Sequence, residues 1–298
     1  MTYFKNFKKR ILDLTSNEDQ LYIQDFVLSQ YAHGLVTLGW LVFQLYSFFL
    51  FNDRPAILFE PILWFQKIFM PAQPNGNCYL TVLFVTIVLV ITSFKYSSFG
   101  LRLIITLLLL YINGYIWSYK FYSNVGHFFL LSHLLKVFIP HNYNVLMVNK
   151  AKFSWEIRWY YLGLMFTYTL AGFWKVLGLL VKIIQNNKNE LTWLHKDAIW
   201  SNSFVSYRSL DEAYPFGEYV LRIQPFWQIM FLLMLLGQLL SMACVLRKKY
   251  LYIIGIWSVM FHLLNIILFK IVFYVAPLIL LALFLPWQKI LGKIGKGF

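Results

Sequence analysis

No aspartate or glutamate occurs between Glu60 and Glu156, and none follows Glu218. Those stretches run instead in long apolar blocks such as YLTVLFVTIVLVIT and LRLIITLLLLYINGYIW. The blocks do not alternate apolar with polar, as the strands of an outer-membrane barrel do. The chain has 298 residues, of which 60% are hydrophobic and only 13% charged, and its mean hydropathy is +0.62. Soluble domains carry roughly twice that share of charge, and a chain of this size cannot hide so much apolar surface from water. A soluble enzyme and a disordered segment are therefore excluded. The chain reads as an all-α integral membrane protein in which lipid takes the place of water around the helices.

The apolar pattern predicts about eight transmembrane helices, over 29–51, 79–94, 101–117, 127–139, 155–184, 219–246, 250–269 and 271–285. A stretch rich in Trp, Phe and Pro at 54–70 carries charges and reads as an interfacial or re-entrant segment. Residues 1–28 are polar and read as an amphipathic cytoplasmic N-terminal segment, 29–287 as the transmembrane domain, and 288–298 as a basic cytoplasmic tail. With the N-terminus inside, the inside segments hold fifteen Lys and Arg and the outside segments nine. This bias places both termini in the cytoplasm and the polar stretch 185–218 outside. The formal net charge of +14 then belongs to loops that meet anionic lipid, and no nucleic-acid partner is expected. Cys78 and Cys244 form no framework, and no Cys/His spacing suits zinc, so no metal is expected.

Polar groups inside the apolar spans carry the functional information, because each is expensive there. They are His33, Asn113, His127, His133, Lys175, Gln238, His262 and Asn265. Lys175 has two readings. It can snorkel to the interface, or its desolvated amine can serve as a base. Tyr168, Ala171, Gly172, Lys175 and Leu179 share one helix face, and the two small residues admit a helix or a ligand beside the lysine. His127 and His133, six apart, face different ways. His262 and Asn265, three apart, share a face, either as a proton-transferring pair or as a polar contact between helices. Gln238 reads most simply as a contact between helices. Signatures for nucleotide binding, the nucleophile elbow and zinc proteases are absent.

Three segments carry a resemblance. YTLAGFWKVL is similar to the Y-x-x-A-G-x-x-K-L stretch of the HTTM family, the membrane domain of vitamin K-dependent gamma-glutamyl carboxylase and its bacterial relatives. GHFFLLSHLL resembles the family segment N-H-x-Y-L-x-G-L-L, and FHLLNIILFKIVFY resembles F-H-L-M-N-x-x-L-F-x-I-x-x-F. The resemblance implies Lys175 as the base that deprotonates a quinol and His127 as a proton donor, with His262, Asn265, Tyr168 and Gly172 shaping the pocket. It implies a reduced naphthoquinone as cofactor, and a peptide or protein partner met at the outside loop 185–218. Small stand-alone HTTM proteins include one that matures a secreted bacterial peptide toxin together with a partner. The expected function is thus a multi-pass enzyme, or enzyme subunit, of a bacterial cytoplasmic membrane, modifying a secreted peptide at the outer face. The alternatives are a non-catalytic anchoring or assembly subunit, and a transporter or lipid-binding protein. A transporter is disfavoured by the lack of intramembrane acids and of repeats.

Overall fold

The computed structural model describes every residue except Met1, Asn52, Leu63, 120–124, 141–142, 186–194, Lys196, 216–222, Val272, Tyr274 and 295–298. For 2–17, Phe51, Phe65, Val125, 143–144, Gln224 and 292–294 it describes the backbone alone. Of the outside loop 185–218 expected to meet a partner, 186–194, Lys196 and 216–218 therefore lie outside the described residues. The described residues are helical with no strand, and they divide into two units, Met1–Tyr160 with Tyr274–Phe298, and Tyr161–Phe273.

Six of the described helices are long and apolar enough to cross a membrane, which makes the chain an all-α multi-pass membrane protein. Their outer faces stay apolar where they leave the packed interior. Phe84, Phe173, Leu233 and Ile256 each have at least half of their surface exposed, as side chains facing lipid do. The other two of the eight expected spans are short. Residues 127–139 form only α5 (Val125–Lys136), and 271–285 form α11 (Ala276–Phe284). At 1.5 Å per residue these reach about 18 Å and 14 Å, well short of a hydrocarbon core of about 30 Å. Pro140 follows the first, and Pro277 and Pro286 bracket the second.

In the first unit, α1 (Thr2–Phe51) runs unbroken through the expected junction at 28. Residues 2–28 contain neither Gly nor Pro, so nothing in the sequence stops it. It packs against α3 (Gly76–Ser93), α6 (Tyr143–Val148), α11 and α12 (Trp287–Ile294). Two carboxylates on α1 tie down distant chain. Asp19 accepts from Ser154 at 2.6 Å and from Arg158 at 3.0 Å, both on α7 (Lys150–Ile184). Asp25 accepts from the backbone N–H of Gln288 at 2.8 Å, in the first turn of α12, where a carboxylate suits the positive end of the helix. The α3–α4 connection is set by caps: Asn75 starts α3, and Ser98 accepts from Leu101 to start α4 (Phe99–Trp117). The 54–70 stretch forms one short 3-10 turn and α2 (Trp64–Phe69), with Trp64 and Phe69 exposed. The rings of Phe48, Tyr79 and Tyr115 stack in sequence between α1, α3 and α4.

The second unit holds the C-terminal part of α7, then α8 (Ala198–Arg208), α9 (Gln224–Cys244) and α10 (Lys248–Phe269). Helix α10 packs against α8 and α9. Its C-terminal carbonyls would otherwise be orphaned. Lys270, in the left-handed conformation, caps Asn265 and Ile266. Tyr207 Oη donates to Ile267 O at 2.7 Å and Ser203 Oγ donates to Leu268 O. Ser203 and Tyr207 are four apart on one face of α8, so one helix seals the end of another. Lys270 Nζ lies 2.7 Å from Glu212 and over the Tyr207 ring. The hydrogen bond to the Glu212 carboxylate holds the lysine above its ordinary pKa.

Two outcomes follow. Tyr207→Phe and Ser203→Ala each lower stability by about 1 kcal/mol, read as a fall in melting temperature of the purified protein in detergent. Because the folded pKa of Lys270 is raised, its contribution is complete below the usual lysine value of 10.5 and is lost as pH rises through the raised value. Alkaline melting of Lys270→Met should accordingly fall less steeply with pH than that of the wild type.

Candidate functional site

The candidate residues of the second unit gather on one face of α7. Tyr168 Oη lies 2.6 Å from His262 Nε2 of α10, and both side chains are buried. Two turns further, Lys175 Nζ donates to Gln238 Oε1 of α9 at 2.9 Å. Between them, Thr169 Oγ1 lies 3.0 Å from Ser241 Oγ and accepts from the backbone N–H of Met242, while Ser241 Oγ reaches the carbonyl of Met165. The α7–α9 contact is therefore a polar seam in an apolar unit.

Gly172 makes the seam possible. A Cβ there would sit 3.0 Å from Gln238 Cβ and 3.2 Å from the backbone nitrogen of Leu239. The second neighbour is main chain and cannot rotate aside. The absent side chain lets α9 come close enough for the Lys175–Gln238 and Thr169–Ser241 bonds, the small-residue packing used between membrane helices.

His262 is held from several sides. The rings of Phe261, Phe273 and Tyr168 surround it at centroid distances of 5.3, 4.8 and 5.9 Å. Its Nδ1 is buried and has no hydrogen-bond partner among the described residues. Whichever tautomer is present, Nδ1 presents either an unused N–H or an unused lone pair. Asn265 does not bond to it. The Asn265 amide donates to Phe261 O, one turn back on α10 itself. The polar partner of His262 is thus Tyr168, on another helix.

His127 lies in the first unit, exposed, with its ring 4.9 Å from that of Trp117. His133 faces the other way, as the six-residue spacing implies. It is buried, with Nε2 3.0 Å from Thr37 Oγ1 and its ring 4.5 Å from that of His33. Among the described residues no three His, Cys, Asp or Glu side chains gather as a metal set would, and Cys78 and Cys244 are free. Sequence reasoning missed Thr169 and Ser241. The signal was there in LLGQLLSMA, where Gln and Ser fall three apart on one helix face.

In comparisons with known proteins, no family model, no curated protein and no solved structure matches the chain.

Gly172→Leu pushes α9 away and lowers stability by about 1–3 kcal/mol, measured as detergent melting, with Gly172→Ala falling between it and the wild type.

Proposed function

We propose that this chain is a multi-pass membrane enzyme, or the membrane subunit of one, in which Lys175 is the base of a quinol-dependent modification of a secreted peptide or protein. The observation that carries this reading is the partner of Lys175. A carboxylate opposite the lysine would demand the ammonium form. The amide oxygen of Gln238 accepts a hydrogen bond from an amine or from an ammonium, so it orients Nζ without fixing its charge. A lysine placed this way can take up a proton and release it again.

A reduced naphthoquinone needs a flat apolar slot and hydrogen-bonding atoms for its ring oxygens. The aromatic rings around His262 would supply the apolar surface and its Nδ1 a hydrogen-bonding atom. When bound, such a quinol supplies reducing power toward oxygen, which the resemblance links to proton abstraction from a peptide side chain. Tyr168 fixes the imidazole orientation through Nε2 and so aims Nδ1. Lys175 Nζ accepts the hydroxyl proton, and Gln238 holds the amine in line. The two polar pairs stand about 10 Å apart along α7, so a ligand held at His262 has to lie along that face to reach Lys175. The part of His127 as proton donor rests on the resemblance alone, as do the peptide partner, the bacterial cytoplasmic membrane and the outer-face location.

The test is oxygen uptake by the purified protein supplied with reduced naphthoquinone. We expect uptake that falls at least a hundredfold in Lys175→Ala, within the range for loss of a general base. Gln238→Glu, which fixes the ammonium, should lower it as well. Uptake retained in Lys175→Ala would sink the lysine base. No uptake in any form, with a partner co-purifying regardless of residue 175, would favour an anchoring subunit instead.

A further inference from the structure

A second feature, in the first unit and independent of the Lys175 seam, has no part in that chemistry. A small cavity opens between α1, α3, α4 and α5, lined by Gly34, Thr37, Ser93, Arg102, His133 and Lys136 among others. Its interior is water-sized. It lies at one end of the bundle, since Ser93 is the last residue of α3, Arg102 belongs to the first turn of α4 and Lys136 is the last residue of α5. That is headgroup depth for helices that end at the membrane surface.

Both cations at this cavity are almost wholly buried, Arg102 at 7% exposure and Lys136 at 8%. Arg102 spends two N–H groups on the protein, Nε to Val137 O at 3.0 Å and Nη1 to Ser97 Oγ at 2.8 Å. A guanidinium has five, so others remain to bind. Lys136 makes no hydrogen bond to the described residues, and neither cation is in an ion pair among them. No carboxylate lines the cavity. The third ionisable group there, His133, adds positive charge if it adds any. The carbonyls at the C-terminus of α5 offset part of the Lys136 charge. Of these Arg102 meets only the neighbouring Val137 carbonyl, and it sits at the positive end of α4. Two like charges buried together without a counter-charge are an unstable arrangement, with a desolvation penalty of several kcal/mol per ion.

We propose that this cavity is an oxyanion site that takes a phosphate group, with Arg102 and Lys136 as its two cationic arms. Arg102 supplies the fork that suits phosphate oxygens, and Lys136 the point charge. The enclosed space is water-sized, so the oxygens of one oxyanion group reach the cations from its mouth and the rest of the ligand stays outside. What lies beside the site favours an amphiphile. Phe99, three residues before Arg102, and Phe138, two after Lys136, are exposed with rings 6.1 Å apart, and Leu134 and Leu35 are exposed nearby in sequence. Acyl chains can cover these side chains while the phosphate enters between the cations, as basic pockets between membrane helices hold anionic lipids. Inorganic phosphate shares the head chemistry and lacks the chains, which separates the two sources.

Native mass spectrometry of the whole protein in detergent tests this with phosphatidylglycerol, phosphatidylcholine and inorganic phosphate as separate additions. We expect phosphatidylglycerol adducts on the wild type, reduced at least tenfold in Lys136→Met and Arg102→Gln and restored in Lys136→Arg. Melting of the same proteins gives a second readout, in which phosphatidylglycerol raises the melting temperature of the wild type and leaves that of Lys136→Met unchanged. Stabilisation of the wild type by inorganic phosphate alone, lost in Lys136→Met, would assign the site to the free anion. Adducts equal in the wild type and Lys136→Met, whichever lipid is added, would overturn the proposal. Lys136→Met removes an uncompensated buried charge, so its fold is expected to survive; if it does not, Lys136→Arg against Arg102→Gln decides.

Discussion

In hydrocarbon there is no water to complete a hydrogen bond, so every polar group in a spanning helix must find its partner inside the protein. The arrangement of this chain follows from that constraint. Its cheapest solution is local. Thr86, Thr106, Asn113, Ser258 and Asn265 turn back to the carbonyl four residues earlier on their own helix. These side chains are closed circuits and bind nothing else strongly. The informative ones are those that cross to another helix: His33 to Ser132, Thr37 to His133, Tyr168 to His262, Thr169 to Ser241 and Lys175 to Gln238. They tie α1 to α5 in the first unit, and α7 to α9 and α10 in the second.

Charge shows the same constraint more sharply. At the polar ends, cations meet carboxylates, as in Arg158 with Asp19 and Lys270 with Glu212. Between Glu60 and Glu156 no acid exists, so Arg102 and Lys136 have none to meet within that stretch. Arg102 takes a carbonyl and a hydroxyl, Lys175 an amide, and Lys136 a cavity. These three cations are left with unspent charge. That unspent charge is what the proposed anion site and the proposed lysine base both draw on.

Much of the fold was legible because hydropathy is a property of single helices. The six long spans could be read directly, since an apolar run of eighteen residues or more has one stable fate in lipid. The two short helices were not, because the apolar content of 127–139 and 271–285 is ample and only the flanking prolines limit their length. Face-sharing along α7 was legible from the helical period, which puts Tyr168, Gly172 and Lys175 on one side of the helix. Partners across helices were not. His262 could be seen near Asn265 because three residues separate them, but Tyr168 is 94 positions away and nothing in a single sequence records that distance. Lys136 sits three residues from the end of the expected span 127–139, where a lysine normally reaches water. Its burial follows from α1 and α4 closing over it, which is tertiary information.

The Lys175–Gln238 pair also separates what the fold requires from what chemistry requires. An apolar pair of the same volume, such as methionine with leucine, would fill the α7–α9 seam with no desolvation penalty, and replacing buried polar contacts by well-packed apolar ones is often neutral or stabilising. The geometry around Gly172 and the Thr169–Ser241 bond already fixes how the two helices register. Lys175 is therefore not needed to hold α9 in place. What it adds to the seam is an amine whose hydrogen-bond partner tolerates either protonation state. That property is of no use to packing, and it is why the proposed chemistry is placed at this lysine rather than at the hydroxyl pair of Thr169 and Ser241 beside it.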